Sequence, residues 1–119
     1  MRSSRGEIKI EDILTDAGLD FKEEYSFPDL VSSSGRPLRF DFAIFDDTGD
    51  IDFLIEYQGI QHYEEKSKFG GAKGLYRQQY NDKQKRIYCA QHGYKLVIIP
   101  YWDENILDYD YIMRAAYEW

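Results

Sequence analysis

The chain has 119 residues, enough for a single domain (1–119) with one modest core, and 43% hydrophobic and 17% aromatic residues mark it as globular rather than disordered. A net charge of −7 argues against a general nucleic-acid coat protein, and the one cysteine, Cys89, excludes an internal disulfide and a cysteine-based zinc site. No apolar run approaches bilayer length and MRSSRGEIKI lacks a signal-peptide core, so a soluble intracellular protein with no membrane partner is expected.

Ser3 or Ser4 can cap a first helix that stops at Gly18, with Ile10, Ile13, Leu14 and Ala17 recurring at helical spacing. Glu7 falls in its first turn, where the helix dipole favours a carboxylate, yet it continues the apolar stripe. It is either a simple first-turn acid or an acid aimed at the sheet. Residues 19–30 read as extended, anchored by Phe21 and Tyr25, and Pro28 ends this strand or confines it to an edge. A Ser- and Gly-rich loop over 31–37 follows.

The sequence LRFDFAIF (38–45), the turn Asp46-Asp47-Thr48-Gly49-Asp50 and IDFLIEYQ (51–58) predict a hairpin. Period-two alternation puts Leu38, Phe40, Phe42 and Ile44 on one face of the first strand, and Ile51, Phe53, Ile55 and Tyr57 on one face of the second. Asp41 and Glu56 then meet on the other surface. Gln58 stands one step along it, and His62 follows beyond the strand-ending Gly59. Two adjacent carboxylates repel unless a cation lies between them. Oxygen ligands of this kind suit Mg²⁺, with Mn²⁺ as a substitute, which takes one or two carboxylates and completes its octahedron with water and phosphate oxygens. The alternative for each acid alone is the wet face of a sheet.

Gly70, Gly71 and Gly74 mark a flexible loop without the Gly-Lys-Ser/Thr ending of a phosphate-binding loop. A second helix is expected over 75–92, packed by Tyr76, Tyr80, Ile87, Cys89 and Ala90, with Asp82 in surface ion pairs to Lys85 or Arg86. From residue 64 to 88, seven basic residues face three acids, a net +4 that leaves −11 on the remainder. Such a basic arm on an acidic body suits a phosphate-backbone binder, or else a solvated loop and helix face. The apolar run KLVIIPYW (95–102) predicts a central strand covered on both faces. Residues 105–119 predict a last amphipathic helix, packed by Ile106, Leu107, Tyr111, Ile112, Ala115 and Tyr117, whose exposed aromatics could serve a homodimer contact. This order gives an α/β domain, one mixed sheet flanked by helices.

Several segments together carry a family likeness. Gly6-Glu7 opening a helix, Arg39-Phe40-Asp41-Phe42, the run IEYQGIQHY (55–63), and Asp82-x-x-Lys85 before an apolar strand resemble the very-short-patch-repair-like branch of the PD-(D/E)XK nucleases. They are most similar to its phage-associated homing-endonuclease group, named for Glu, Asp, x, His and Asp active-site residues. The resemblance spans almost the whole chain, from Glu7 to Trp102, and its middle segment is the most specific.

The resemblance implies a restriction-endonuclease-like fold, a Mg²⁺-dependent DNA endonuclease, and a cytoplasmic setting in a bacterial or phage-infected cell. It implies Asp41 as the metal-binding aspartate, Glu56 as second ligand, and His62 as general base toward the attacking water. It further implies Glu7 orienting metal-bound water, Asp82 holding the histidine or a water, and Lys85 on phosphate. The expected catalytic set is therefore Glu7, Asp41, Glu56, Gln58, His62 and Asp82. The expected DNA contacts are Lys66, Lys68, Lys73, Arg77 and Lys85. The chain departs from the wider superfamily at Gln58, which stands where the motif lysine belongs. His62 and Lys85 then cover its role, or the chain is a weak or inactive nuclease-fold interaction protein, such as a phage inhibitor or a nucleic-acid-binding module.

Overall fold

Ser4 starts the chain's first element by exchanging two hydrogen bonds with Glu7: its hydroxyl accepts the Glu7 N–H and its own N–H donates to the Glu7 carboxylate. This reciprocal cap satisfies two backbone donors that a helix start leaves orphaned. The computed structural model describes residues 4–60 and 71–118. Over these residues the order is α1 (Arg5–Asp16), β1 (Asp20–Val31), β2 (Pro37–Phe45), β3 (Ile51–Gln58), α2 (Gly71–His92), β4 (Leu96–Pro100), a 3-10 helix (Tyr101–Ile106) and α3 (Tyr109–Tyr117).

The four strands form one mixed sheet in the order β1-β2-β3-β4, antiparallel except for the parallel β3–β4 pair. Helices cover both faces, which makes this the expected α/β arrangement. On one face α1 and α3 bury Ile10, Leu14, Ile112 and Ala116 against Phe42, Ile44, Phe53, Ile55, Val97 and Ile99. On the other, α2 buries Tyr88 and Cys89 against Phe27, Leu38, Phe40, Ala43 and Leu54. Pro28 lies on an edge strand, as its missing N–H requires.

Several expectations are corrected. Phe40 and Leu38 do not share a face with Phe42 and Ile44; they lie in the α2 core with Ala43. The alternation changes phase between the Tyr25–Phe40 and Glu23–Phe42 pairs, where Glu24 has a positive φ of 50°. A left-handed residue twists the strand locally and re-aims the side chains on either side of it. β4 is an edge strand among the described residues, not a central one. Its apolar run arises because helices cover both sheet faces, and that cover does not depend on position in the sheet.

The second helix begins at Gly71, so Lys73 and Gly74 are helical rather than part of a loop. Its inward face also differs from expectation. Tyr76, Tyr80, Ile87 and Ala90 are exposed, and the buried residues are Asp82, Tyr88 and Cys89. The predicted last helix is broken in two. The Asp108 carboxylate accepts the Tyr111 N–H at 2.8 Å and starts α3 afresh, while Ile106 is left exposed in the preceding 3-10 turn. Leu107 and Ile112 are buried, Tyr111 and Ala115 half-buried, and Tyr117 exposed, with its ring edge-on to Phe53.

Candidate active site

The site lies where β2 and β3 part. Their ladder runs from the turn to the Phe42–Ile55 pair. The next rung would join Asp41 and Glu56 through the backbone, but their side chains take over. The Asp41 N–H donates to Glu56 Oε1 at 3.0 Å, and the Tyr57 N–H donates to Asp41 Oδ2 at 2.7 Å. Each carboxylate thus replaces a backbone acceptor, and such charge-assisted bonds are stronger than the amide–carbonyl bonds they replace. The expected pairing of Asp41 with Glu56 is therefore realised as a cross-strand clasp.

Lys85 reaches this clasp from α2. Its Nζ lies 3.0 Å from Glu56 Oε2 and 5.6 Å from the centroid of the Phe40 ring. Both partners are largely buried, with side-chain exposures of 13% and 6%. Lys85 is thus a cation built into the site, its ion pair made with Glu56 rather than with Asp82. Asp82 is itself buried, and it accepts from Gln58 Nε2 at 3.4 Å. The surface ion pair expected for Asp82 is replaced by this contact because α2 turns Asp82 toward β3.

These groups line one cavity of about 320 Å³, together with Ser4, Leu38, Tyr57, Gly59, Gln78 and Asn81. Among the described residues its lining holds four carboxylates (Glu7, Asp41, Glu56 and Asp82) and one ammonium, that of Lys85. Burial pushes the Asp41 carboxyl up to about 8, and the neighbouring Glu56 charge pushes in the same direction, against the Tyr57 N–H and Lys85. Burial also raises Glu56, while the Lys85 charge and hydrogen bond oppose it. The thiol of Cys89, one helical turn beyond Lys85, is pushed up to about 11 by burial, so it is not a thiolate nucleophile at neutral pH.

Glu7 reaches the cavity because of Gly6. A Cβ at Gly6 would fall inside the Tyr57 ring, so α1 rests directly on that ring. The Tyr57 hydroxyl donates to Glu104 Oε1 at 3.2 Å, and Lys9 Nζ donates to the Glu104 carbonyl at 2.7 Å. Arg5 pairs with the Glu104 carboxylate at 3.2 Å. These contacts fix the start of α1 over the end of β3, and the capping box of Ser4 then holds the Glu7 carboxylate.

The predicted residues Glu7, Asp41, Glu56, Asp82 and Lys85 therefore come together, with Gln58 behind Asp82. His62, Lys66 and Lys68 lie outside the described residues. Lys73 is exposed on the first turn of α2 and does not line the cavity, and Arg77 lines a neighbouring one. Sequence reasoning missed Gln78 and Asn81. Their signal was present: 78, 81, 82 and 85 recur at three and four residues, a polar stripe as regular as an apolar one.

The donor chemistry fits a hard divalent cation. Among the described residues no three His, Cys, Asp or Glu side chains form a ready-made metal cage. Asp41 and Glu56 nonetheless offer adjacent carboxylates, and Asp41 Oδ1 has no hydrogen-bond partner among the described residues. One or two carboxylates suffice for Mg²⁺ when water and phosphate fill the other positions.

Comparison with known proteins finds two viral relatives. The chain is 46% identical over 78 residues to Uncharacterized protein 094L of Frog virus 3 (isolate Goorha), covering 64% of this chain and 48% of that protein. It is 32% identical over 88 residues to Uncharacterized protein 307L of Invertebrate iridescent virus 6, covering 71% of this chain and 45% of that one. The chain thus spans about half the length of the curated relatives it matches. No protein-family model and no solved structure matches the chain. No helix among the described residues is long and apolar enough to cross a membrane.

Proposed function

We propose that the chain is a Mg²⁺-dependent DNA endonuclease domain with a restriction-endonuclease-like fold, related to the very-short-patch-repair-like nucleases. The observation that carries this reading is the clasp of Asp41 and Glu56, two carboxylates brought together across the strands in one cavity, with Asp41 Oδ1 free of hydrogen-bond partners among the described residues. Two carboxylates held this close repel each other when both are ionised, and a divalent cation between them relieves that repulsion.

Each residue then has a role in phosphodiester hydrolysis. A bound Mg²⁺ supplies Lewis acidity toward phosphate and water. Asp41 and Glu56 hold it. Lys85, fixed beside Glu56, offers positive charge to the non-bridging phosphate oxygens, the part that the lysine missing at Gln58 would play. Gln58 orients Asp82, and Glu7 contributes a further carboxylate acceptor for water. His62 is the proposed general base, since imidazole is the side chain best suited to exchange protons near neutral pH. The remaining length of the viral relatives is where a separate DNA-recognition module would lie.

The test is nicking of supercoiled plasmid in Mg²⁺, Mn²⁺ or EDTA, beside Asp41→Asn. Metal-dependent nicking that vanishes in the variant is expected; an equally active Asp41→Asn protein would sink the proposal. The second reading, a non-catalytic interaction protein on the same scaffold, is favoured by glutamine at position 58. It predicts no cleavage in any metal by the folded wild-type protein.

A further inference from the structure

A second cavity adjoins the first and differs from it in charge. It measures about 520 Å³ and is lined by Ser32, Ser33, Ser34, Arg36, Pro37, Leu38, Arg77 and Asn81. Leu38 and Asn81 also line the acidic cavity, so the two share a wall. Among the described residues, the acidic cavity is lined by four carboxylates and one ammonium, whereas this one is lined by two guanidiniums and no acid.

The two arginines come from opposite walls. Arg36 ends the loop 32–36 between β1 and β2, and Arg77 lies on the same face of α2 as Asn81, four residues on. Neither guanidinium has an ion-pair partner among the described residues, whereas Arg39, on the adjoining strand, is 3.5 Å from Glu24. The loop is given its shape by its own bonds. The Ser32 N–H donates to the Arg36 carbonyl at 2.8 Å, the Gly35 N–H to the Ser32 carbonyl at 2.9 Å, and Gly35 takes a φ of 83°. Serine hydroxyls, an asparagine amide and two planar guanidiniums are the donors that grip phosphate oxygens.

We propose that this cavity is a DNA-backbone subsite, in which Arg36 and Arg77 hold the phosphodiester next to the one in the acidic cavity. The inference rests on the nuclease reading and deepens it. A strand laid across the shared wall at Leu38 and Asn81 places one phosphate beside Lys85 and the proposed metal and its neighbour between the two arginines. Attraction at the basic cavity offsets the repulsion that a polyanion meets at the acidic one, so the subsite governs binding and register rather than bond cleavage.

The test uses the full chain and a short fluorescein-labelled DNA duplex, with Ca²⁺ as the only divalent ion, in a salt series followed by anisotropy. Arg36→Gln, Arg77→Gln and the double variant are compared with Lys22→Gln, a like loss of charge on exposed β1 outside both cavities. The double variant is expected to bind roughly tenfold or more weakly and to lower the slope of log affinity against log salt by about 1, for the one phosphate that the two arginines hold. Because bis(p-nitrophenyl) phosphate has no neighbouring phosphodiester, its hydrolysis by the double variant should fall less than cleavage of DNA does. A double variant no weaker than Lys22→Gln, in a protein that still cuts DNA, overturns the subsite and leaves the nuclease reading standing. Arginine-dependent binding by a wild-type protein that cuts nothing in Mg²⁺ or Mn²⁺ sinks the nuclease reading and keeps the backbone subsite. Absence of duplex binding by the wild type overturns both.

Discussion

The two ends of the β2–β3 hairpin use the same residue type in opposite ways. At the turn, Asp46 is exposed and its carboxylate accepts from the Thr48 hydroxyl at 2.6 Å and from the Thr48 and Asp50 N–H groups at 2.9 and 3.1 Å. These bonds, the Thr48 hydroxyl first, hold its carboxyl below the usual carboxylate range. At the open end, Asp41 also accepts a backbone N–H, yet burial and the Glu56 charge raise it to about 8. The comparison teaches that a hydrogen bond stabilises a carboxylate where water already solvates it, and is outweighed where burial removes that water. One aspartate closes the hairpin. The other holds it open at a cost in stability, as functional sites commonly do.

The sharpest way to break this contrast is Asp41→Asn. The amide oxygen can still accept the Tyr57 N–H, so the clasp survives without its charge. Metal-dependent nicking is expected to fall by about 10²–10³-fold or more. Stability should move the other way. Because the folded-state value of Asp41 is raised, its favourable contribution is present below the usual carboxylate range and is lost as pH rises toward about 8. Thermal melts at pH 8 should therefore show the variant more stable than wild type, by on the order of 1 kcal/mol or roughly 4 °C. The gap should close near pH 4. Mg²⁺ should raise the wild-type Tm at pH 8 and leave the variant's unchanged; a variant that melts lower at pH 8 would contradict the assignment.

Lys85→Ala probes the clasp from the other side. It strands a buried Glu56 and should cost about 3 kcal/mol in a urea melt at pH 8. The loss should shrink in acid, where Glu56 takes up a proton, and Glu56→Gln in the same chain should restore part of it. A pH-independent loss would mean that Lys85 stabilises by packing on Phe40 and not by charge.

Gly6→Ala acts on the support rather than on the charges. The added methyl must displace the Tyr57 ring or the start of α1, an overpacking effect of about 1–3 kcal/mol. Because Glu7 moves with the helix, turnover should fall while plasmid affinity holds. Removing both the ring and the clash, by Tyr57→Leu with Gly6→Ala, should recover stability better than activity.

At the turn, Asp46→Ala should have the smallest effect, a slight fall in Tm at pH 7. The folded-state value of Asp46 is lowered, so its contribution exists above the usual carboxylate range and disappears as pH falls through and below it. The difference between variant and wild type should fade in acid, the reverse of the trend expected at Asp41.

What could be read from the sequence was mostly local. The turn after Phe45, the cap at Ser4 and the edge position of Pro28 follow from chemistry within a few residues, and all appear where expected. The meeting of Asp41 and Glu56 was also expected from the hairpin, but the rung that joins them depends on a one-residue register shift beside the Phe45–Ile51 pair, which the turn alone does not set. The change of phase at Phe40 did not follow, since it depends on a left-handed Glu24 in a neighbouring strand. The face of α2 was misjudged for a different reason. Tyr76, Tyr80 and Ile87 were expected inside as apolar residues, but the middle of this helix borders a polar cavity, and there the inward positions go to Gln78, Asn81, Asp82 and Lys85. Lys85 finds Glu56 twenty-nine residues away through tertiary packing, which no local spacing encodes.

That division of α2 has a consequence in time. The helix runs from Gly71 to His92, yet its buried apolar residues, Tyr88 and Cys89, both fall in the last quarter. There Tyr88 donates to Asp29 at 2.6 Å and stacks against His92 with ring centroids 3.9 Å apart. The turns before it carry polar contacts instead, among them Lys85–Glu56 and Gln58–Asp82. Amide protons along α2 should therefore exchange with solvent on a gradient, fastest in the first turns and slowest around Tyr88 and Cys89. Opening from that end should uncover the wall that both cavities share before either apolar core is disturbed.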